Sequence, residues 1–171
     1  MQPAICNSAV DLATVVSPIT GSTATADGGG NTHSLSCGGN GNEALFMIMM
    51  EPGATINIGM DSNGYDSRQE TRWGGACPGE NPVTCTDDPD TRRHNWANDQ
   101  TTAQPLYFFV DAYSTGSGTF QLSWVLGSNV GEVMVHGGGS HCTTSTQCPN
   151  CEGDCDDDGD CASGLTCWQR G

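Results

Sequence analysis

The 171-residue sequence contains no lysine, and its five arginines face 20 acidic residues, for a net charge of −15. Phosphate recognition needs a basic footprint, so a nucleic-acid partner is excluded, and anionic membrane surfaces are disfavoured on the same ground. No apolar run approaches the length of a membrane-spanning helix, so membrane insertion is not expected. Apolar residues never recur at helical spacing over a dozen positions, which argues against helices. No Asn-x-Ser/Thr sequon occurs, so N-glycosylation is not predicted. The opening residues, MQPAICNSAV, carry neither the charged nor the apolar segment of a signal peptide, which is expected to have been removed or never included.

Catalytic signatures are also lacking. The four histidines, His33, His94, His136 and His141, show no HExxH spacing, and there is no nucleophile elbow or phosphate loop. His136-Gly137-Gly138-Gly139 has the look of an esterase oxyanion loop, but without a Gly-x-Ser-x-Gly partner it reads as flexible linker. Carboxylate pairs are plentiful, yet a glycosidase needs a shaped cleft that a small sandwich leaves little chain to build. The chain is therefore read as non-catalytic.

What the sequence does contain is alternation. In Gln104–Leu126, Leu106, Phe108 and Val110 alternate with Tyr107, Phe109 and Asp111; after a Ser/Gly turn, Phe120, Leu122, Trp124 and Leu126 resume the pattern. Period-two alternation around a small-residue turn predicts a β-hairpin whose apolar stripe is core. Glu43–Met50 is the most apolar run, and Glu51-Pro52-Gly53 separates it from an alternating Ala54–Met60, predicting a second hairpin. Its methionines read as core filler rather than a copper site, because no cysteine or histidine sits beside them. With 24 glycines and many Ser, Thr, Asn and Asp between apolar runs, the expected fold is all-β, a sandwich with long loops. Asp11–Val16 reads as a short strand leading into the polar loop Gly21–Gly30.

Ten cysteines imply an oxidised, secreted protein, extracellular or at a cell surface. Cys6 with Cys37, and Cys77 with Cys85 around a tight loop, are the expected bridges of the first two-thirds of the chain. A bridge across the first of these loops would stabilise the fold by about 3–4 kcal/mol. The other six, Cys142, Cys148, Cys151, Cys155, Cys161 and Cys167, crowd the last thirty residues, where cross-links must replace a core. Cys148-x-x-Cys151 admits a zinc site, but the secreted reading favours three disulfides among 15 possible pairings.

The order of these features resembles the bacterial pre-peptidase C-terminal family of small β-sandwiches appended to secreted proteases and surface proteins. The resemblance spans residues 4–126 and rests on the early cysteine strand, the Pro-Gly turn, Tyr65-Asp66-Ser67, the Cys77–Asp88 segment and the Tyr107–Ser123 ending. It implies an antiparallel, two-sheet, jelly-roll-like sandwich with a non-catalytic, substrate- or matrix-binding role. The chain departs from the pattern at Arg68–Trp73, which is polar where an apolar strand is usual, leaving its pairing and edge exposure open. The pattern from Cys151 to Arg170 is similar to a cysteine-rich motif of secreted algal and protist proteins, which implies an extracellular matrix context. The expected layout is a sandwich over 1–128, a glycine-rich linker over 129–141 in which Val133-Met134-Val135 is available to extend a sheet edge, and a disulfide knot over 142–171.

Two ligand readings follow. Asp154, Asp156, Asp158 and Asp160 reproduce the first half of an EF-hand loop, but Leu165 stands where the closing Glu belongs; a weak calcium site is the expectation. Asp66, Asp87, Asp88 and Asp90 form a second candidate cluster for calcium, with Asx-turns as the plainer reading. Trp73, Trp96 and Tyr113, in polar segments, are candidates for stacking on sugar faces. The function expected is an extracellular structural or adhesion protein that assembles with itself or docks to matrix; a calcium-assisted carbohydrate-binding module is the alternative.

Overall fold

A computed structural model of the chain describes residues 3–24 and 30–128. Among the described residues nine strands run in order: β1 (Val10–Asp11), β2 (Ile19–Ser22), β3 (Ala44–Met50), β4 (Ala54–Asn63), β5 (Ser67–Trp73), β6 (Asn81–Thr86), β7 (His94–Ala97), β8 (Gln104–Ala112) and β9 (Thr119–Ser128). Among the described residues the only helices are two 3-10 turns, Ala4–Ser8 and Leu12–Thr14. The strands form two sheets, β1-β3-β8-β5-β6 (sheet A) and β2-β9-β4-β7 (sheet B), with every neighbour antiparallel except β1 and β3. This is the expected all-β, two-sheet sandwich. The linker 129–141 with Val133–Val135, the cysteines from Cys142 to Cys167, and the carboxylates Asp154, Asp156, Asp158 and Asp160 lie outside the described residues.

The alternating residues do fill the space between the sheets. Leu106, Phe108 and Val110 of β8 and Phe46, Ile48 and Met50 of β3 meet Ile56, Ile58 and Met60 of β4 and Phe120, Leu122 and Trp124 of β9. Each such side chain contributes about 1.5–3 kcal/mol on leaving water. Leu126 breaks the pattern at 52% exposure.

Neither predicted hairpin forms. β3 and β4 lie in opposite sheets, as do β8 and β9; β3 pairs with β8 and β4 with β9. Each turn is an arch that carries the chain across the sandwich. Alternation fixes which face of a strand is buried, and it is equally satisfied by a neighbour in the same sheet or a strand across the core. Asn98 secures the first arch: its side chain donates to Met50 O (2.8 Å) and Thr102 O (3.0 Å) and its backbone exchanges bonds with Gly53 and Ala54. The segment predicted as one strand over Asp11–Val16 is divided between the end of β1 and a 3-10 turn, and β2 begins later, at Ile19, running into the first two residues of the expected loop.

The polar segment Arg68–Trp73 is no edge. As β5 it lies between β8 and β6, with Ser67, Gln69, Glu70 and Thr71 all at 0% exposure. Its inward polar groups are served from sheet B and its loops: Thr71 by His94, Ser67 by Asp90, and Gln69, which donates to the Asp90 carbonyl.

Sheet A is also covered on its outer face. Tyr107 and Phe109 of β8 and Leu45 of β3 pack there beneath Ile5 and Leu35, forming a second apolar cluster with all four described cysteines against it. The disulfides join Cys6 to Cys77 and Cys37 to Cys85, not Cys6 to Cys37 and Cys77 to Cys85 as expected. The physical reason is the layering. Cys77 lies in the turn between β5 and β6 and Cys85 in β6 itself, while Cys6 and Cys37 belong to the covering segments, so each bridge staples the cover to the β5–β6 hairpin of sheet A.

Candidate functional site

Of the three aromatic candidates, the structure brings two together. Trp73 ends β5 in sheet A and Trp96 lies in β7 of sheet B; their ring centroids are 5.5 Å apart at an interplanar angle of 34°. Both are half-buried and packed on the main core, so the pair clasps the sheets at one margin. Tyr113 is elsewhere. β5 and β8 pair from Trp73 opposite Leu106 to Ser67 opposite Ala112, which places Tyr113 at the far end of the strands. There it is 50% exposed and carries the Arg68 guanidinium 4.4 Å above its ring. A three-aromatic sugar platform is therefore not assembled.

The loop carboxylates gather near Tyr113 but are put to other uses. Asp87 accepts two bonds from Arg68, at 2.9 and 3.0 Å, and this pairing holds its carboxyl below the usual range. Asp90 accepts from Asn63, from Ser67 N and from Ser67 Oγ. Asp66 stays in water, its pKa raised by partial desolvation and then by Asp90, Asp88 and Asp87 nearby. Among the described residues no three His, Cys, Asp or Glu side chains are grouped to hold a metal ion. Of the four loop carboxylates proposed for calcium, Asp66, Asp87, Asp88 and Asp90, Arg68 engages Asp87, and Asn63 and Ser67 engage Asp90.

Two features escaped sequence reasoning. The first is the outer face of sheet B. Since Ile56, Ile58, Phe120, Leu122 and Trp124 point into the core, Thr55, Asn57, Gln121, Ser123 and Val125 point out. Asn57 donates to Asn95 across the β4–β7 pair (2.7 Å), and Val125, next to Asn57 in register, is 68% exposed. Arg93 lies over one part of the face, bonded to Ser123 O (2.7 Å) and Asp61, so its charge is neutralised there. Where β4 shifts register after Met60, a shallow groove of about 410 Å³ opens between Thr20, Ser62, Thr119 and Gln121. The face is thus rich in amides and hydroxyls, with the Arg93 charge paired to Asp61. Its signal in the sequence was the polar half of each alternating strand.

The second is a set of buried acids under the cover of sheet A. Glu43, Glu70 and Asp111 are all at 0% exposure. Glu43 accepts from the backbone N–H groups of Thr32 (2.8 Å) and His33, and burial raises its pKa despite these bonds. Glu70 accepts from Ser36 N (3.1 Å) and Arg72 (3.0 Å). Asp111 accepts from Gly41 N (3.1 Å) and Ala112 N (2.6 Å). His33 stacks on Phe109 with its centroid 4.7 Å away, and burial lowers its pKa. These residues shape a loop.

Comparisons with known proteins give little beyond this. No family model matches the sequence. No curated protein matches it. Among solved structures, the chain is similar to the pre-peptidase C-terminal domain of collagenase from Bacillus anthracis, with 14% identity and a TM-score of 0.43 over 68% of this chain and 94% of that one.

Proposed function

We propose that this chain is a secreted, non-catalytic docking module that attaches to an uncharged extracellular polymer through the outer face of sheet B. The observation that carries the reading is the asymmetry of the two sheets. The outer face of sheet A is roofed by disulfide-stapled segments, whereas that of sheet B presents Thr55, Asn57, Asn95, Gln121 and Val125 to solvent. Amides and hydroxyls around an apolar centre match neutral polyhydroxylated chains, whose hydroxyls need hydrogen-bond partners and whose C–H faces need an apolar surface. A net charge of −15 keeps the molecule off anionic surfaces and favours a partner recognised without charge. The Cys6–Cys77 and Cys37–Cys85 disulfides support an oxidising, extracellular setting.

The test is retention of the full chain on immobilised neutral matrix polysaccharides against sulfated ones. Asn57→Ala combined with Val125→Ser is expected to weaken retention about tenfold, equivalent to about 1.4 kcal/mol, with the thermal unfolding profile unchanged. Equal retention of the variant on every polymer would remove this face from the reading. Self-association is the second reading, favoured by Val16, Val125 and Leu126 at 84, 68 and 52% exposure along and beside β9. Light scattering separates the two: concentration-dependent growth that Leu126→Lys abolishes points to self-association.

A further inference from the structure

The segment Gly30–Gly41 lies as a strap across the outer face of sheet A, and three carboxylates on or beside its strands hold it by its backbone amides. Two of them are saturated by the bonds described above. Asp111 is not: its Oδ2 is buried and has no hydrogen-bond partner. The register makes this costly. Ala44 opposes Val110, which brings Glu43 opposite Asp111 on one side, and Arg68 opposes Asp111 on the other. The Arg68 guanidinium is engaged by Asp87 and Tyr113. Tyr65, in the turn before β5, adds a buried hydroxyl whose pKa burial pushes up to about 12, so it stays neutral throughout. On the strap, Gly39, at φ +123°, passes so close to Asp111 that a Cβ there would sit 2.1 Å from Oδ2. His33, the strap's one titratable side chain, sits instead near Glu70, at 3.9 Å.

We propose that Asp111 is a proton-controlled latch on the strap: the neutral carboxyl keeps Gly38–Gly41 closed over it, and the ionised carboxylate opens this end to water. An ionised oxygen with no partner, beside a second carboxylate, cannot stay dry without a large penalty. Closed, the strap leaves that oxygen no room for water; open, it hydrates it. Burial, and after it the charge of Glu43, push the Asp111 pKa up to about 6, with the Ala112 and Gly41 amides and Arg68 pulling the other way. The Cys37–Cys85 bridge ends the movement at Cys37, confining it to four residues. Gly41 also packs on the Ser114–Gly116 turn, so opening releases the β8–β9 arch.

Hydrogen exchange of the Gly38, Gly39 and Gly41 amides tests this in the full oxidised chain between pH 5 and 7.5, after division by the intrinsic rate. Protection of Gly41 is expected to fall about tenfold as Asp111 ionises, and Asp111→Asn is expected to make protection independent of pH. An unchanged pH dependence in Asp111→Asn, or none in the wild type, overturns the proposal. If Asp111→Asn does not fold, the Asp111 carboxyl resonance of the wild type serves instead: its titration midpoint must coincide with that of Gly41 exchange, and a separation of the two overturns the latch.

Discussion

Thr71 Oγ1 and His94 Nδ1 meet at 2.6 Å inside the sandwich, tying β5 of sheet A to β7 of sheet B. The other ring nitrogen, Nε2, lies 3.1 Å from Thr86 Oγ1, and Phe108 stands edge-on at 5.5 Å. A neutral imidazole has one donor and one acceptor, and hydroxyls can complement both, so two threonines satisfy the ring without any charge. Burial, and then Arg92, hold the His94 pKa down to about 4.

The consequence is a loss of stability in mild acid. The unfolded chain takes up a proton on His94 below about pH 6.5 while the folded chain does not until about pH 4. Stability from this residue is therefore intact above pH 6.5 and falls as the pH drops toward 4. Asp111 acts in the opposite sense: its raised pKa costs stability as the pH rises from about 4 to 6. The two are separable by substitution. Urea unfolding should show that the advantage of wild type over His94→Gln shrinks by about 2 kcal/mol between pH 7 and pH 5. A constant gap would mean that His94 takes up its proton at the same pH in the folded and the unfolded chain.

The crossed disulfides make a mapping prediction. Proteolysis without reduction should yield linked peptides containing Cys6 with Cys77 and Cys37 with Cys85, the latter closing 48 residues and the former 71. Loop closure of that size contributes about 4 kcal/mol per bridge, and less than the sum for two interleaved ones. Cys37→Ser with Cys85→Ser is thus expected to lower stability by about 3–4 kcal/mol, and to speed exchange in the strap more than in β4 and β9.

Much of the core is legible in the sequence. Phe46, Ile48, Ile56, Ile58, Phe108 and Leu122 announce themselves by alternation, because burial on one face of a strand leaves a period of two. The strand partners are not, since arch and hairpin share the same local pattern. β5 hides for a different reason: Gln69 and Thr71 are inward-facing polar residues whose partners, Asp90 and His94, come from distant chain. The disulfide partners depend on the third layer, which sequence spacing alone does not reveal. Of the candidate site, the tryptophan pairing and the separation of Tyr113 both depend on that strand order.

Trp73 and Trp96 act as a clasp first. Trp96→Ala is expected to cost about 3 kcal/mol, and to remove the near-ultraviolet circular dichroism that two coupled indoles produce. If the variant kept full stability and lost only glycan retention, the pair would belong to the binding surface instead.

The last prediction concerns two glycines with positive φ. Gly30, at +73°, has open space for 4 Å around the point where a methyl group would stand, while Gly39, at +123°, would press one against Asp111 Oδ2. Alanine at Gly30 therefore meets backbone strain alone, about 1 kcal/mol. Alanine at Gly39 meets strain and collision, and a cost of about 2–3 kcal/mol is expected. Lifting the strap from Asp111 relieves the collision and lets water reach the carboxyl. In Gly39→Ala the Asp111 resonance should consequently titrate near the ordinary carboxylate pKa of about 4, and in Gly30→Ala it should remain near 6. Equal midpoints in the two variants would show that the strap does not control the environment of Asp111.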